Sequence, residues 1–385
     1  MKSVSETTGR RGTTRRRFLK QVAAGAGIAA LGTSVSGVRH ARAKPYEGVE
    51  LNILSWPGWG DPHITTMFEE RTGAKVIVKE YIGGEAMMAV LAQTPPGSFD
   101  LILSDHEYLT QLRAADQIVA LDPADYHFDQ YWPEFQRFEP HWSEGQMYAV
   151  LTSFGYIGLA YNSDKLTEAD VASYEILWDP KIKGKFGWFD WYLPNMGCLS
   201  LYNGNRPPYD IDDAAFGELK ETLNSLQSQE GVFLSMADVF SSFTNGEMWI
   251  SPGIGDWVSQ ILQAGGLPIA ANVPKEGGVM WSDSWAVAKT ANTPELAVDW
   301  IRYVASPEGQ IRAATLPAFA RNIPNKEGWK LLNEQMPEWA TRLRHHFDSR
   351  NIVDEYREGN IFARGLPVQQ SPEEWGEVWT EFKST

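Results

Sequence analysis

The sequence predicts an α/β protein built on a parallel sheet that helices cover on both faces. Between residues 49 and 115, short apolar runs alternate with helical patterns in the order strand, helix, strand, helix, strand, and consecutive parallel strands need such crossovers. About 340 residues follow an N-terminal leader, which is enough for two domains. No apolar run in that part approaches the roughly 20 residues of a membrane-spanning helix.

The leader, residues 1–43, has the pattern of a twin-arginine export signal. Residues 14–20 read TRRRFLK, an apolar stretch runs from Val22 to Leu31, and Ala41-Arg42-Ala43 supplies a small-x-small cleavage site. The apolar stretch is too short to span a bilayer as a helix. We therefore predict a periplasmic protein whose signal is cleaved near Ala43.

Charge and cysteine content exclude several classes of protein. The leader holds nine of the 34 basic residues and one of the 49 acidic residues, so the remainder carries a net charge of −23. Such a surface repels nucleic acid, and no nucleic-acid partner is expected. The single cysteine, Cys198, permits neither an internal disulfide nor a cysteine-based metal site.

Apolar periodicity and turn residues place the elements along the chain. We predict strands over residues 49–54, 75–81, 99–103, 147–151, 156–162, 247–251 and 280–287. We predict helices over residues 63–71, 85–93, 108–115, 212–227, 237–245, 257–264 and 294–305. Because parallel sheets bind ligands in the loops beyond the carboxyl ends of their strands, loops 55–60 and 104–108 are candidate sites.

Tryptophan is unusually abundant, with 16 residues, and several lie beside glycine, proline or aspartate. The segments that contain them are Trp56-Pro57-Gly58-Trp59, Asp190-Trp191, Asp256-Trp257 and Trp281-Ser282-Asp283. Aromatic faces with carboxylates at their margin are typical of organic-cation sites, because the ring quadrupole attracts a desolvated ammonium. Sugars stack on the same faces, and core packing alone explains any single tryptophan.

Four segments are distinctive: Leu51 to Trp56, Phe99 to Leu103, Leu177 to Gly184 and, most specifically, PKEGGVMWSDS at residues 274–284. In these segments the chain resembles the periplasmic spermidine/putrescine-binding proteins of ABC importers. The resemblance implies a two-lobe periplasmic-binding-protein fold of type II, with mostly parallel sheets and two hinge crossings near Leu151 and Met280. It places residues 44–150 and 282–326 in lobe one, and residues 151–281 and 327–385 in lobe two.

The resemblance also implies a ligand site between the lobes, no cofactor, no metal, a monomer, and a membrane permease as partner. Trp56, Trp281 and Asp283 match family positions that sandwich and ion-pair a polyamine, and Trp59 and Phe319 stand where the family has tyrosine. Elsewhere the chain departs from the pattern: Asp105-His106-Glu107 replaces Ser-Thr-Tyr, and Ile254 replaces a tryptophan. The predicted ligand-binding residues are Trp56, Trp59, Asp105, Glu107, Asp190, Trp191, Asp256, Trp257, Trp281, Asp283 and Phe319.

Three functional hypotheses follow. The first is an ABC-importer receptor for a cationic amine, a polyamine or a related compound. The second is a receptor of the same fold for a sugar, an amino-acid derivative or a quaternary ammonium. The third, more remote, is an exported enzyme, although no G-x-S-x-G, H-E-x-x-H or phosphate-binding loop is present. His345-His346 lacks the helical spacing of metal ligands, and we expect it on a solvated helix face.

Overall fold

The computed structural model describes residues 44–317 and 319–384, so the predicted leader and its cleavage site lie outside the described residues. The helices in these ranges are α1 (Pro62–Thr72), α2 (Gly84–Gln93), α3 (Leu109–Ala114), α4 (Pro133–Gln136), α5 (Tyr192–Tyr202), α6 (Asp213–Ser225), α7 (Met236–Thr244), α8 (Asp256–Ala264), α9 (Pro294–Ala305), α10 (Pro307–Ala314), α11 (Lys326–Gln335), α12 (Pro337–Arg342), α13 (Asp354–Arg357) and α14 (Pro372–Ser384). The strands are β1 (Glu50–Ser55), β2 (Lys75–Glu80), β3 (Leu101–Ser104), β4 (Trp142–Ser143), β5 (Gln146–Met147), β6 (Val150–Asn162), β7 (Gly187–Phe189), β8 (Val232–Leu234), β9 (Ile250–Gly255), β10 (Ile269–Asn272), β11 (Gly278–Val287) and β12 (Ile361–Ala363). The predicted α/β class is confirmed.

The main sheet has the strand order β10-β6-β11-β3-β1-β2, with β9 paired to β6 and β12 paired to β11. Strands β1, β2 and β3 are parallel, as the alternation with helices predicts. Strand β11 runs antiparallel to both β3 and β6, and β6 runs antiparallel to β9 and β10. The sheet is therefore mixed rather than mostly parallel, because long strands return through it without the helical crossover that parallel neighbours need.

Strand β6 is one continuous strand of 13 residues, all buried, where the sequence predicts two shorter strands. Thr152 and Ser153 interrupt the apolar pattern, which explains the predicted break. In the structure Ser153 and Phe154 pair with Asp283 and Ser282 of β11, so the ladder continues across the polar residues. Strands β6 and β11 thus form a long antiparallel pair at the place where the hinge crossings are expected.

The hydrophobic core is divided into clusters. The largest contains Trp59, Trp285, Trp300 and Trp329 and packs residues of α1, α9, α10 and α11. A second contains Trp188, Trp375 and Trp379 and packs residues of α5, α6 and α14. Strands β6 and β11 contribute to both. Many of the tryptophans are therefore core residues, as their packing capacity allows.

Helix α5 is absent from the sequence prediction because Pro194 and Gly197 lie within it. Proline is tolerated in the first turn, where its missing N–H has no helical partner. Gly197 is required by packing: a Cβ there would lie 2.0 Å from the Tyr209 hydroxyl, which donates a hydrogen bond to the Leu193 carbonyl at 2.9 Å. This close approach fixes the start of α5, where Pro194 faces the candidate site.

Candidate functional site

A cavity lies beside the ends of several strands, and its empty volume, including the open solvent at its mouth, is about 680 Å³. Its walls are mostly apolar and aromatic, with two carboxylates and two guanidinium groups among them. The lining residues are Trp56, Pro57, Asp105, Ile157, Phe189, Trp191, Pro194, Met236, Gly253, Ile254, Trp257, Trp281, Asp283, Phe319, Ala320, Arg321 and Arg364. A concave, mainly apolar site with a few converging polar groups is typical of small-molecule binding.

Five aromatic side chains of the wall are only partly buried, whereas Phe189 is buried; the five are Trp56, Trp191, Trp257, Trp281 and Phe319. The Trp56 and Trp191 rings lie 6.0 Å apart at an angle of 48°. Trp56 is held by its indole N–H, which donates to Asp105 Oδ2 at 3.1 Å. Trp281 is held in the same way by Asp256 Oδ1 at 2.9 Å. Carboxylates thus fix the orientation of two tryptophans in the wall.

Asp256 lies behind the cavity wall, 3% exposed, at the start of α8. Its carboxylate accepts from the Trp281 indole N–H, from the Trp257 backbone N–H at 2.9 Å, and from the Asn322 side-chain amide. Burial raises the pKa of Asp256 to about 7, although these hydrogen bonds favour the ionised form. The group therefore anchors the Trp281 indole and the backbone of Trp257, and its pKa lies near neutral pH.

Asp283 lines the cavity and is paired with Arg321. Arg321 Nε lies 2.9 Å from Asp283 Oδ2, and both side chains are nearly inaccessible to solvent. The Arg321 guanidinium also donates to the carbonyls of Phe319 and Pro57 and lies 4.8 Å from the centre of the Trp59 ring. Burial raises the pKa of Asp283 to about 6, and Arg321 partly opposes this shift. The predicted amine partner is therefore already neutralised within the protein.

A second ion pair joins the loop after β3 to the residue after β12. Arg364 Nη2 lies 2.6 Å from Asp105 Oδ1, and Arg364 Nε lies 2.6 Å from Glu107 Oε1. Arg364 is 2% exposed, and its guanidinium lies 4.6 Å from the centre of the Trp191 ring. Burial opposes the charge of Arg364, but Asp105 and Glu107 outweigh burial and raise its pKa. These two acids are thus compensated from within the protein.

One wall depends on a glycine with a left-handed backbone. Gly253 has a φ of +65°, and a Cβ there would lie 2.0 Å from Asn195 Oδ1. The Asn195 amide donates to the carbonyls of Phe189 and Trp191 at 2.7 and 2.8 Å. Gly253 therefore permits the contact that holds the β7–α5 loop against the cavity.

Most of the predicted ligand-binding residues meet at this cavity: Trp56, Asp105, Trp191, Trp257, Trp281, Asp283 and Phe319 line it. Glu107 and Asp256 lie behind the lining, against Arg364 and Trp281. Trp59 is fully buried and packs edge-on against Trp285. Asp190 does not line the cavity either: it is exposed and pairs with Lys383 at 2.8 Å.

The two arginines of the wall are absent from the sequence prediction. Arg321 lies in the loop that contains Phe319, and Arg364 follows Glu107 by 257 positions. A signal did exist in the sequence: two acids in a strand-end loop, Asp105 and Glu107, need a cation nearby if they are buried, since an uncompensated buried charge is costly. Local pattern cannot say which of the arginines supplies it.

Two further observations bear on the alternatives. Among the described residues, no group of three or more His, Cys, Asp and Glu side chains could hold a metal ion, and no helix is long and apolar enough to cross a membrane. The expectation for His345 is wrong. Its ring is fully buried and stacks on Trp329 at 4.2 Å, because it follows α12 into the core rather than lying on a solvated helix face.

Comparison with known sequences identifies relatives over most of the chain. A family model described as bacterial extracellular solute-binding protein matches residues 63–339. The spermidine/putrescine-binding periplasmic protein of Escherichia coli (strain K12) is 25% identical over 296 residues, which cover 74% of this chain and 80% of the relative.

Solved structures share the fold. A putative spermidine/putrescine ABC transporter from Listeria monocytogenes superposes with a TM-score of 0.72 at 20% identity, covering 87% of this chain and 98% of the other. The periplasmic binding protein MotA from A. tumefaciens B6, in complex with glucopine, superposes with a TM-score of 0.65 at 15% identity, covering 87% and 100%. The fold is that of the two-lobe periplasmic binding proteins, as the sequence predicts.

Proposed function

The chain belongs to the bacterial extracellular solute-binding proteins, and we propose that it is the receptor of an ABC importer for a small amine. The observation that carries the proposal is the cavity itself. Trp56, Trp191, Trp257 and Trp281 surround it, and the Asp105 and Asp283 carboxylates lie at its margin. Aromatic faces attract a desolvated ammonium and pack against methylene groups, and a carboxylate favours the same charge.

The relatives support an amine, since the Escherichia coli protein is named for spermidine and putrescine. Those names describe the relatives, and 25% identity leaves room for a different amine here. A sugar receptor would present the same aromatic faces, but two buried ion pairs in the wall are not needed to bind a neutral solute.

In this proposal residues 44–150 with 282–326 and residues 151–281 with 327–385 act as two lobes that close on the ligand. The separation of the core into clusters supports two lobes, although Trp329, Leu332 and Ile352 pack in the first cluster, so their segment belongs with lobe one rather than lobe two. Closure would exclude water and present a surface to a membrane permease. The protein would act as a monomer in the periplasm, after twin-arginine export and removal of residues 1–43.

Isothermal titration of the protein without its leader tests the proposal. The titrants are putrescine, spermidine, monoamines, amino acids with a terminal amine, and glucose as a neutral control. We expect saturable binding of at least one amine and none of glucose. Absence of binding by every amine, or binding of glucose alone, would contradict the proposal.

A further inference from the structure

The acids at the cavity are already paired, and this limits what the ligand can carry. Asp283 has Arg321, and Asp105 and Glu107 share Arg364. The Asp256 oxygens accept from Trp281, Trp257 and Asn322. A linear polyamine needs one accessible carboxylate for each desolvated ammonium. Here an added ammonium would approach each of these aspartates beside a guanidinium or an occupied hydrogen-bonding site.

The cavity wall and the groups directly behind it therefore contain carboxylates and guanidinium groups in contact with each other. Three carboxylates and two guanidinium groups belong to the ion pairs, and His106 adds no charge because burial lowers its pKa to about 4. One ammonium is compatible with this balance. A second or third would lie in a low-dielectric site next to Arg321 or Arg364, where like charges repel strongly.

The guanidinium groups have hydrogen-bonding capacity left for an acceptor. Arg321 uses Nε, Nη1 and Nη2 once each, toward Asp283, Phe319 and Pro57, and each Nη carries two hydrogens. Arg364 donates through Nε to Glu107. Its Nη2 lies 2.6 Å from Asp105 Oδ1, and this nitrogen carries a second hydrogen beyond that contact. A ligand carboxylate would supply acceptors in the planar geometry that arginine prefers.

We infer that the ligand is a short amino-carboxylate, in which one amine stacks among the tryptophans and one carboxylate meets Arg321 or Arg364. The inference rests on the proposed function and narrows its substrate class. The amine lies on the aromatic faces near Asp283, and the methylene chain between the two charged groups crosses the apolar part of the wall at Ile157 and Ile254. The internal arginines take the place that additional ammonium groups of a polyamine would occupy.

A set of matched ligands tests this inference on the intact protein without its leader. 5-Aminopentanoate and 1,5-diaminopentane have chains of equal length and differ only in whether the second end is a carboxylate or an ammonium. 1-Aminopentane lacks the second charge. We expect the amino-carboxylate to bind about tenfold or more tightly than the diamine, with the monoamine between them. 4-Aminobutanoate and putrescine repeat the comparison at a shorter length.

The outcomes distinguish the amino-carboxylate ligand from the more general amine receptor. Equal or tighter binding of the diamines overturns the amino-carboxylate and leaves an amine receptor. Failure of every compound to bind overturns both.

Substitution of the arginines provides an independent test. Arg321→Gln frees the Asp283 carboxylate, and we expect the preference for 5-aminopentanoate over the diamine to fall by about tenfold or more. Arg321→Lys keeps the positive charge without the planar guanidinium, and we expect it to retain more of the preference than Arg321→Gln. Arg364→Gln measures the same preference when the ion pair with Asp105 and Glu107 is removed. Folding is checked by circular dichroism, and an unchanged ratio in both folded glutamine variants would overturn the inference.

Discussion

At the scale of single residues, the site depends on acids that orient aromatic rings. Asp256 accepts the Trp281 indole N–H, and Asp105 accepts that of Trp56. Both acids are almost inaccessible to solvent, and a buried carboxylate is retained only where donors surround it. Their first role in this protein is therefore to hold the faces on which a ligand stacks.

The titration of Asp256 should appear in the stability of the protein. Burial raises its pKa in the folded protein to about 7, above the ordinary value of 3.8, so the folded state binds the proton more tightly than the unfolded state. Stability from this group is thus greatest at low pH and is lost as pH rises from about 4 to 7. We expect wild type to lose a few kcal/mol relative to Asp256→Asn between these pH values, measured by urea unfolding. A pH-independent difference would contradict the assignment.

Cys198 should be inert in the folded protein. Its side chain is fully buried, and burial raises the pKa of the thiol to about 12, so the reactive thiolate is scarce at neutral pH. We expect a thiol-specific chromogenic reagent to label one equivalent only after denaturant is added. Rapid labelling of the native protein would show that the pocket around Cys198 opens.

Stacking on Trp191 should contribute to affinity. Trp191→Ala removes one face of the wall and also the ring on which Arg364 lies, and we expect a loss of about tenfold in ligand affinity by titration. Trp178→Ala is the matched control, because Trp178 stacks on Tyr202 at 4.7 Å and does not line the cavity. Equal losses in the two variants would contradict a specific role for Trp191.

Single residues also show what sequence can and cannot predict. Trp56, Trp281 and Asp283 follow strands or lie within a specific motif, and they do line the cavity. Arg321 and Arg364 do not stand out in the sequence, since their role depends on acids brought near by the fold. Trp59 illustrates the converse, because its position beside Pro57 and Gly58 resembles a binding loop while its ring is fully buried.

At the scale of elements, the paired strands β6 and β11 carry the site. They pair from Val279 opposite Ile157 to Trp285 opposite Val150, with an irregularity between Asp283 and Ser284. The alternation with helices predicted the parallel start of the sheet, but periodicity contains no information about strand partners. The antiparallel return of β11, which brings Trp281 and Asp283 to the cavity, therefore required the structure.

Gly155 in β6 leaves no room for a larger side chain in this pair. A Cβ there would lie 2.3 Å from Trp281 Nε1 and 2.5 Å from Asp256 Oδ1. We expect Gly155→Ala to displace the Trp281 indole, reducing ligand affinity by about tenfold or more and stability by about 1–3 kcal/mol. Titration and urea unfolding measure the two effects.

The control for Gly155→Ala is Gly217→Ala. Gly217 lies within α6, and a Cβ there meets nothing within 4 Å. Alanine favours the helix, so this variant should be as stable as wild type or more so, with unchanged affinity. A Gly155→Ala protein that matches the control in both measurements would show that the strand shifts to make room.

At the scale of the whole molecule, the two largest core clusters are joined by shared strands. Strand β6 contributes Phe154 to one and Leu159 to the other, and β11 contributes Trp285 and Val279 in the same way. Unfolding one cluster would therefore break the backbone ladder that supports the other. The two lobes inferred for ligand closure should not be independent folding units.

Thermal unfolding tests this coupling. We expect Trp300→Ala in one cluster and Trp375→Ala in the other each to cost about 3–5 kcal/mol and to lower the same single transition. Both side chains are fully buried. Two calorimetric transitions, of which each variant moves only one, would show that the clusters unfold separately.

The Arg364 ion pairs have a consequence for the order of synthesis. Glu107 precedes its cation by 257 residues, and ribosomes add roughly 5–20 residues per second. For about 10–50 seconds the nascent acidic loop therefore has no access to its permanent counter-charge. The loop after β3 must remain hydrated until the last part of the chain emerges, so completion of the site is a post-translational event.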